Sequence, residues 1–427
     1  MIAFSHATGN QNARHAALAM AQAGMLAEMW TTISWDEHAF INRLLPAGVR
    51  AELRRRTFPE ELRPFIRTMP WREWGRLIAV RMKWGALCGG ESAVFSIDSV
   101  FHAMDRHMAR RVVPRLRPSL VYAYEDGAVE TFRAAKEFGS KGVYELPIGY
   151  WRAAHAIFRE EREREPEWAP TLDGLKDGEA KLERKDEELR TASAIIVPST
   201  FVRETLRMAP GIGAIPVHVN PYGGPSVFAE PPPPAADGKL RVLFVGSLGQ
   251  RKGLGYVLQA MELLGGAAEL TLIGRKISEN CRPLNDAVKR HRWVTSIPHA
   301  EVLSEMSRHD VLVFPSLFEG FGLVILEAMS QGLPVITTPN SGGLDVVTDG
   351  VDGFSVPIRS AEAIAQKLEM LAADRALLAQ MKAAAFATAR RNTWESYRTR
   401  LVEILRAVEG AGAGDKSQMT KSKELEP

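Results

Sequence analysis

The sequence predicts an α/β protein built from two Rossmann-like, parallel-sheet domains that face each other across a cleft. Three observations predict it. Short apolar segments alternate with helical ones in both halves of the chain, the pattern of a parallel sheet covered on both faces. The alternation stops at Asn220-Pro-Tyr-Gly-Gly224 and the stiff proline run Pro231–Pro234, then restarts. The length, 427 residues of which 45% are hydrophobic, suits two domains with a core each.

The first strand is Ile2-Ala-Phe4, followed by the loop His6-Ala-Thr-Gly-Asn-Gln-Asn12. An alanine-rich helix from Arg14 to Ala23 is stopped by Gly24, and a second strand runs from Ala27 to Ile33. This is a Rossmann-type opening without a complete G-x-G-x-x-G, which weighs against a nicotinamide dehydrogenase. Further strands are Leu120 to Tyr124 and Gly142 to Leu146. Between them lies a helix from Gly127 to Phe138, with Gly139 placed to cap it. A charge-rich helix from Gly178 to Ala192 precedes the strand Ala194 to Val197, which ends in Pro198-Ser-Thr-Phe201. Strands of the second half are Arg241 to Val245, Leu270 to Ile273, Val294 to Ile297, Val311 to Phe314 and Pro334 to Thr338. The expected domains are 1–219 and 220–391. A C-terminal helix, 392–409, is a candidate to cross back to the first domain, and the polar tail 410–427 reads as disordered.

The formal charge is +3, from 54 basic and 51 acidic residues. A nucleic-acid-binding protein would usually carry a larger basic excess. Cys88 and Cys281 fit no metal spacing and suggest a reducing compartment. No apolar run is long enough to span a bilayer, and the N-terminus lacks the regions of a secretory signal. The expected location is therefore cytoplasmic. Residues 50–84 stand apart, with ten basic residues against four acidic ones and Trp71, Trp74 and Trp84 interleaved. The favoured reading is a solvated helix pair whose aromatics pack inward. The alternative is peripheral contact with an anionic membrane, on its inner face.

The chemistry concentrates in Phe314-Pro-Ser-Leu-Phe-Glu-Gly-Phe-Gly-Leu-Val-Ile-Leu-Glu-Ala-Met329. A buried strand ends at Phe314, a glycine-rich turn follows, and a helix begins near Gly322. The unpaired N–H groups at that helix start, around Leu323 and Val324, suit a diphosphate. Glu319 and Glu327 would lie about 12 Å apart and about 80° around the axis on one continuous helix. Gly320 and Gly322 argue against that. A loop carboxylate and a helix carboxylate instead bracket one ligand, each accepting from hydroxyl pairs of a sugar or ribose. A second turn, Phe244-Val-Gly-Ser-Leu-Gly-Gln-Arg-Lys-Gly253, sets the cations Arg251 and Lys252 close to Gly246 and Ser247.

Together with Gly332-Leu-Pro-Val335, Gly342-Gly343 and the loop around Gly9, these segments resemble the retaining group 1 glycosyltransferases. The resemblance is strong over the second half of the chain and looser over the first 190 residues. It implies the GT-B fold and transfer of a sugar from a nucleotide-diphosphate sugar to a hydroxyl acceptor (glycan, lipid or small molecule). It implies that Arg251 and Lys252 grip the diphosphate, with Gly9 approaching the diphosphate or the acceptor. Glu319 would hold donor-sugar hydroxyls in a pocket shaped by Gly320, Phe321 and Gly322. Glu327 would hold the ribose, and the strand end at Ile297-Pro-His299 would meet the base. No D-x-D occurs, so no metal and no cofactor is expected. Two departures stand out. Ser247 replaces the arginine usual after the first glycine, a cation Arg251 is placed to supply. Pro147 replaces a histidine, leaving His6, Glu125, Asp126 and Glu145 as fallback candidates for a base, or the leaving phosphate itself. The same departures motivate the alternative, a non-catalytic nucleotide-sugar-binding protein. A pyridoxal-dependent phosphorylase finds no matching stretch.

Overall fold

The computed structural model describes residues 1–172, 174–227 and 238–411. The first half contributes β1 (Ile2–Ser5), β2 (Leu26–Thr31), β3 (Ile66–Thr68), β4 (Leu120–Tyr124), β5 (Lys141–Glu145), β6 (Ala194–Val197) and β7 (Val217–Val219). They form one sheet in the order β3-β2-β1-β4-β5-β6-β7. The second half contributes β8 (Leu240–Val245), β9 (Ala268–Ile273), β10 (Arg292–Val294), β11 (Val311–Phe314), β12 (Val335–Thr337) and β13 (Gly353–Ser355). Their order is β10-β9-β8-β11-β12-β13. Neighbouring strands pair in parallel throughout both sheets. Helices cover both faces, so the central strands are buried on both sides. Leu-Val-Tyr-Ala-Tyr in β4 and Val-Leu-Val-Phe in β11 are buried at every position. That is why these strands read as unbroken apolar runs rather than as alternating ones.

Strand order reverses between β1 and β4 in one sheet and between β8 and β11 in the other. The crevice outside the carboxyl ends of such strands is where open α/β sheets take ligands. The loops leaving β8 and β11 carry Gly246–Lys252 and Pro315–Gly322. Those leaving β1 and β4 carry His6–Gly9 and Glu125-Asp126.

Several contacts join the halves. The chain crosses twice in adjacent strands of backbone, where Gly224 N–H donates to Asn392 O at 2.8 Å. The helix Trp394–Gly410 packs on the helix Gln11–Gln22, with Trp394 stacked on His15 at 4.0 Å. Its last turn accepts a hydrogen bond from Lys141 Nζ at Val408 O, 2.6 Å. Near the site, Glu161 is fully buried and accepts from Gln250 Nε2 at 2.7 Å, Tyr256 OH at 2.8 Å and Arg359 Nε at 2.7 Å. Trp168, two turns further along, belongs to the core of the second half.

The structure corrects some expectations. β10 ends at Val294, so Ile297 lies in the loop before the helix His299–Ser307 rather than at a strand end. The strand is a short edge element, and the apolar Ile297 packs back on the core from irregular backbone. Residues 50–84 do hold helices, Ala47–Arg54 and Trp71–Arg81, but with β3 between them. Their aromatics do not all turn inward. Trp71 is 82% exposed and Trp84 is 49% exposed, while the charged Glu73 is the fully buried residue. Arg56 and Arg76 neutralise it from 2.6 and 2.7 Å, which explains how a carboxylate takes the inner position. The run Pro231–Pro234 and nearly all of the tail lie outside the described residues.

Candidate active site

The turn after β8 and the turn after β11 are built against each other. Gly246 (φ 144°) leaves β8, and a short helical turn Gln250–Lys252 follows. Gly253 then adopts φ 72°, and a Cβ there would sit 2.1 Å from Pro315 O. Any side chain would drive the two turns apart. Leu317 N–H donates to Arg251 O at 2.9 Å, which fixes their register.

This packing brings Glu319, Arg251 and Lys252 together. Arg251 donates to a Glu319 carboxylate oxygen at 2.9 Å and to Phe318 O at 3.1 Å. Lys252 Nζ donates to the same carboxylate oxygen and lies 4.5 Å from the centre of the Phe314 ring. Burial pushes the Glu319 carboxyl up. The charges of Lys252 and Arg251, with their hydrogen bonds, outweigh it and hold the group below the usual carboxylate range. Burial moves Lys252 the other way, below its usual value, despite the pull of Glu319. A polyanion placed here would favour the charged lysine.

The loop also touches the first half. A Cβ on Gly320 would lie 1.9 Å from Pro147 O, and Ser199 Oγ donates to Gly320 O at 2.6 Å. Pro147 therefore presents its carbonyl to the Glu319 loop at the position where the resemblance calls for a histidine. Asn340 was not foreseen. It accepts from Glu319 N–H at 3.0 Å and donates through Nδ2 to Leu317 O at 2.8 Å. Its place just beyond β12 is the signal that could have found it. Phe321 is buried between Gly342 and Tyr222, with the Tyr222 ring edge-on at 5.6 Å.

Gly322 (φ 86°) caps the helix Leu323–Ser330, whose first residues Leu323 and Val324 are half-buried. Glu327 lies one turn into this helix and meets His299 at 2.9 Å, not the Arg251–Lys252 group. Among the described residues no hydrogen bond or ion pair joins the two clusters. They flank the same helix start. The hydrogen bond to Glu327 raises the His299 pKa above its ordinary value of 6.5, against burial, which lowers it. The pair therefore contributes fully below the unfolded value and is lost as pH rises through the raised one. Glu327→Gln is expected to bring the His299 titration, followed by NMR, back down toward 6.5. An unchanged titration would contradict the pairing.

Across the cleft, His6 is buried, and its Nδ1 accepts from Gly9 N–H at 2.9 Å and Thr8 N–H at 3.2 Å. Burial pushes its pKa down to about 4. A Cβ on Gly9 would meet the Phe58 ring at 2.2 Å, so Phe58 explains that glycine sterically. Glu145 is buried and accepts from Tyr222 OH at 2.7 Å and from Tyr122 OH. Burial raises its pKa, against the hydrogen bonds of Tyr122 and Tyr222. Glu125 is raised to about 7 by burial, which Lys185 opposes from 3.4 Å. Asp126 holds φ 69° and lies 3.9 Å from the same lysine. A surface groove of about 510 Å³ lined by Arg241, Arg292 and Arg308 lies beside the amino ends of β8 and β10. It is at the wrong edge of the sheet for this chemistry.

Residues 228–388 match the family model described as glycosyl transferases group 1. Sucrose synthase from Acidithiobacillus caldus is 34% identical over 180 residues, covering 36% of this chain and 23% of that protein. A capsular polysaccharide biosynthesis glycosyltransferase from Staphylococcus aureus is 34% identical over 140 residues, covering 31% of this chain and 37% of that protein. The aligned part thus spans well under half the length of either relative. Among solved structures, sucrose-phosphate synthase from Thermosynechococcus elongatus gives a TM-score of 0.65 at 19% identity, covering 96% of this chain and 99% of that one. HepE from Anabaena, solved with UDP and glucose, gives 0.59 at 16% identity, covering 95% and 99%. At these identities the likeness shows a shared fold, the two-domain GT-B architecture.

Proposed function

We propose that the chain, whose residues 228–388 match the family model of the group 1 glycosyl transferases, is a retaining glycosyltransferase using a nucleotide-diphosphate sugar. One observation carries the reading. Two cations and a carboxylate converge at the strand-order reversal of the second sheet, beside a helix start with unpaired N–H groups.

In the transfer, the bond between the anomeric carbon and the diphosphate breaks. A bond from that carbon to the acceptor oxygen forms on the same face, and the acceptor proton goes to the departing phosphate oxygen. Negative charge grows on the leaving group, where Arg251, Lys252 and the N–H groups of Leu323 and Val324 stabilise it. As the diphosphate takes the cations, the Glu319 carboxylate is freed to accept from sugar hydroxyls. Glu327 and His299 lie one turn further along for the ribose and base. His6 and Glu145 are committed to the Gly9 loop and the tyrosine cluster, which supports the departing phosphate as the base. Protein cations take the part of a metal, so the reaction needs none. The acceptor is a hydroxyl compound held by the first domain.

A panel of nucleotide sugars with candidate acceptors, followed by proton NMR in the presence of EDTA, tests this. The expected result is release of nucleoside diphosphate and a product with the donor's anomeric configuration. Inversion, or dependence on a divalent metal, would contradict it. Donor binding with neither transfer nor hydrolysis would instead favour a non-catalytic binding protein, the reading that Ser247 and Pro147 support.

A further inference from the structure

Large apolar side chains crowd the surface of one segment of the first domain. Trp71 and Ile78, 82% and 51% exposed, lie two turns apart on the helix Trp71–Arg81, and Met82 continues their stripe at 56%. Trp84, Leu87 and Val94 are also exposed. Beside the stripe, a groove of about 500 Å³ separates this helix from Ala47–Arg54, lined mainly by Val49, Leu53, Trp74, Leu77 and Val80. Exposed large apolar side chains gathered on one segment mark a surface that something covers.

Charge identifies what covers it. Residues 50–84 carry a net +6 while the whole chain carries +3, which leaves the remainder at −3. Arg56 and Arg76 pair with the buried Glu73, and Arg54, Arg63 and Arg67 reach Glu37, Asp36 and Glu28 outside the segment. Arg81 and Lys83 remain exposed beside the stripe. Exposed tryptophans with a basic rim match the interface of an anionic bilayer. A two-fold contact with a second copy would set two +6 segments face to face.

The same segment forms a wall of the cleft. Phe58 closes over Gly9, the Arg14 guanidinium lies 5.3 Å from the Phe58 ring centre, and Arg14 donates to Arg55 O. We infer that the outward face of residues 47–97 docks on an anionic lipid bilayer and that the acceptor is a lipid-borne hydroxyl, presented from that surface at the Gly9 side of the cleft. The acceptor half of this rests on the glycosyl-transfer reading; the docking half does not.

Two measurements on the full chain separate the halves. In the first, the protein is sedimented with vesicles of phosphatidylcholine alone or mixed equally with phosphatidylglycerol. Binding is expected only to the mixed vesicles and is expected to fall with added salt. Trp71→Ala with Ile78→Ser should weaken it at least about tenfold, because both side chains leave water on docking. Lys252→Ala should bind as the wild type does. No sedimentation with the mixed vesicles, equal binding by the double variant, or a dimer that the double variant dissociates would overturn docking. In the second, labelled nucleotide sugar is incubated with a total membrane-lipid extract. Label is expected in the organic phase, less with the double variant and lower by about 100-fold or more with Lys252→Ala. Label confined to water-soluble products would overturn the lipid-borne acceptor. No donor consumption at all, with vesicle binding intact, would overturn the glycosyl-transfer reading and leave docking standing.

Discussion

Lys252→Ala is expected to lower kcat/KM for transfer by about 10²–10³-fold, equivalent to about 2.7–4 kcal/mol, the range for removing one preorganised charge stabiliser. The expectation follows from where the ammonium sits. It is 11% exposed, over the Phe314 ring, at the end of a turn that Gly253 and Pro315 lock in place. In such a site a cation needs no reorganisation when the leaving group gathers charge. The fold should survive the change. Arg251 still pairs with Glu319 at 2.9 Å, and burial already disfavours the charged lysine. The predicted signature is a large kinetic loss with a melting temperature within a few degrees of wild type. Glu319→Ala should likewise abolish transfer without unfolding. Full activity in either variant would remove these residues from the site.

Glu161→Ala should act in the opposite way, first on stability. Its carboxylate is fully buried and serves Gln250, Tyr256 and Arg359 at once. Removing one partner of a buried ionic pair costs about 3–5 kcal/mol, because the remaining charge stays desolvated. Arg359 keeps Glu160 at 2.6 Å, an exposed partner that offsets part of the loss, so about 3 kcal/mol is expected. Gln250 directly precedes Arg251, so donor affinity should fall as well. Urea denaturation measures the first effect. A loss below about 1 kcal/mol, the usual size of a surface pair, would show that the contact is not the interdomain tie it resembles.

Much of this was legible in the residues. β4, β6 and β11 begin and end where their apolar runs do, because strands buried on both faces leave no polar position to blur the limits. Gly139 follows its helix in the left-handed conformation, at φ 75°. The three-residue strands β3, β7 and β13 were not legible, since three residues carry too little periodicity. Ile297 misled because an apolar residue can pack on a core from a loop as well as from a strand. The outward tryptophans misled for a related reason: aromatic content does not say which way each side chain turns. In the site, the resemblance implied separate donor contacts for Glu319 and for Arg251 and Lys252, while their ion pairing came only with the fold. Ser199 and Glu161 depend on tertiary approach across 89 residues or more, which no local pattern carries.

The central claim is that Arg251 and Lys252 hold the diphosphate of an activated sugar, with Glu319 beside them. Calorimetric titration of nucleoside diphosphates and of the matching monophosphates into wild type and the Arg251→Ala/Lys252→Ala variant tests it most directly. The account predicts tighter binding of a diphosphate than of its monophosphate by wild type, with that preference lost in the variant. A variant that still prefers the diphosphate as strongly as wild type would contradict it.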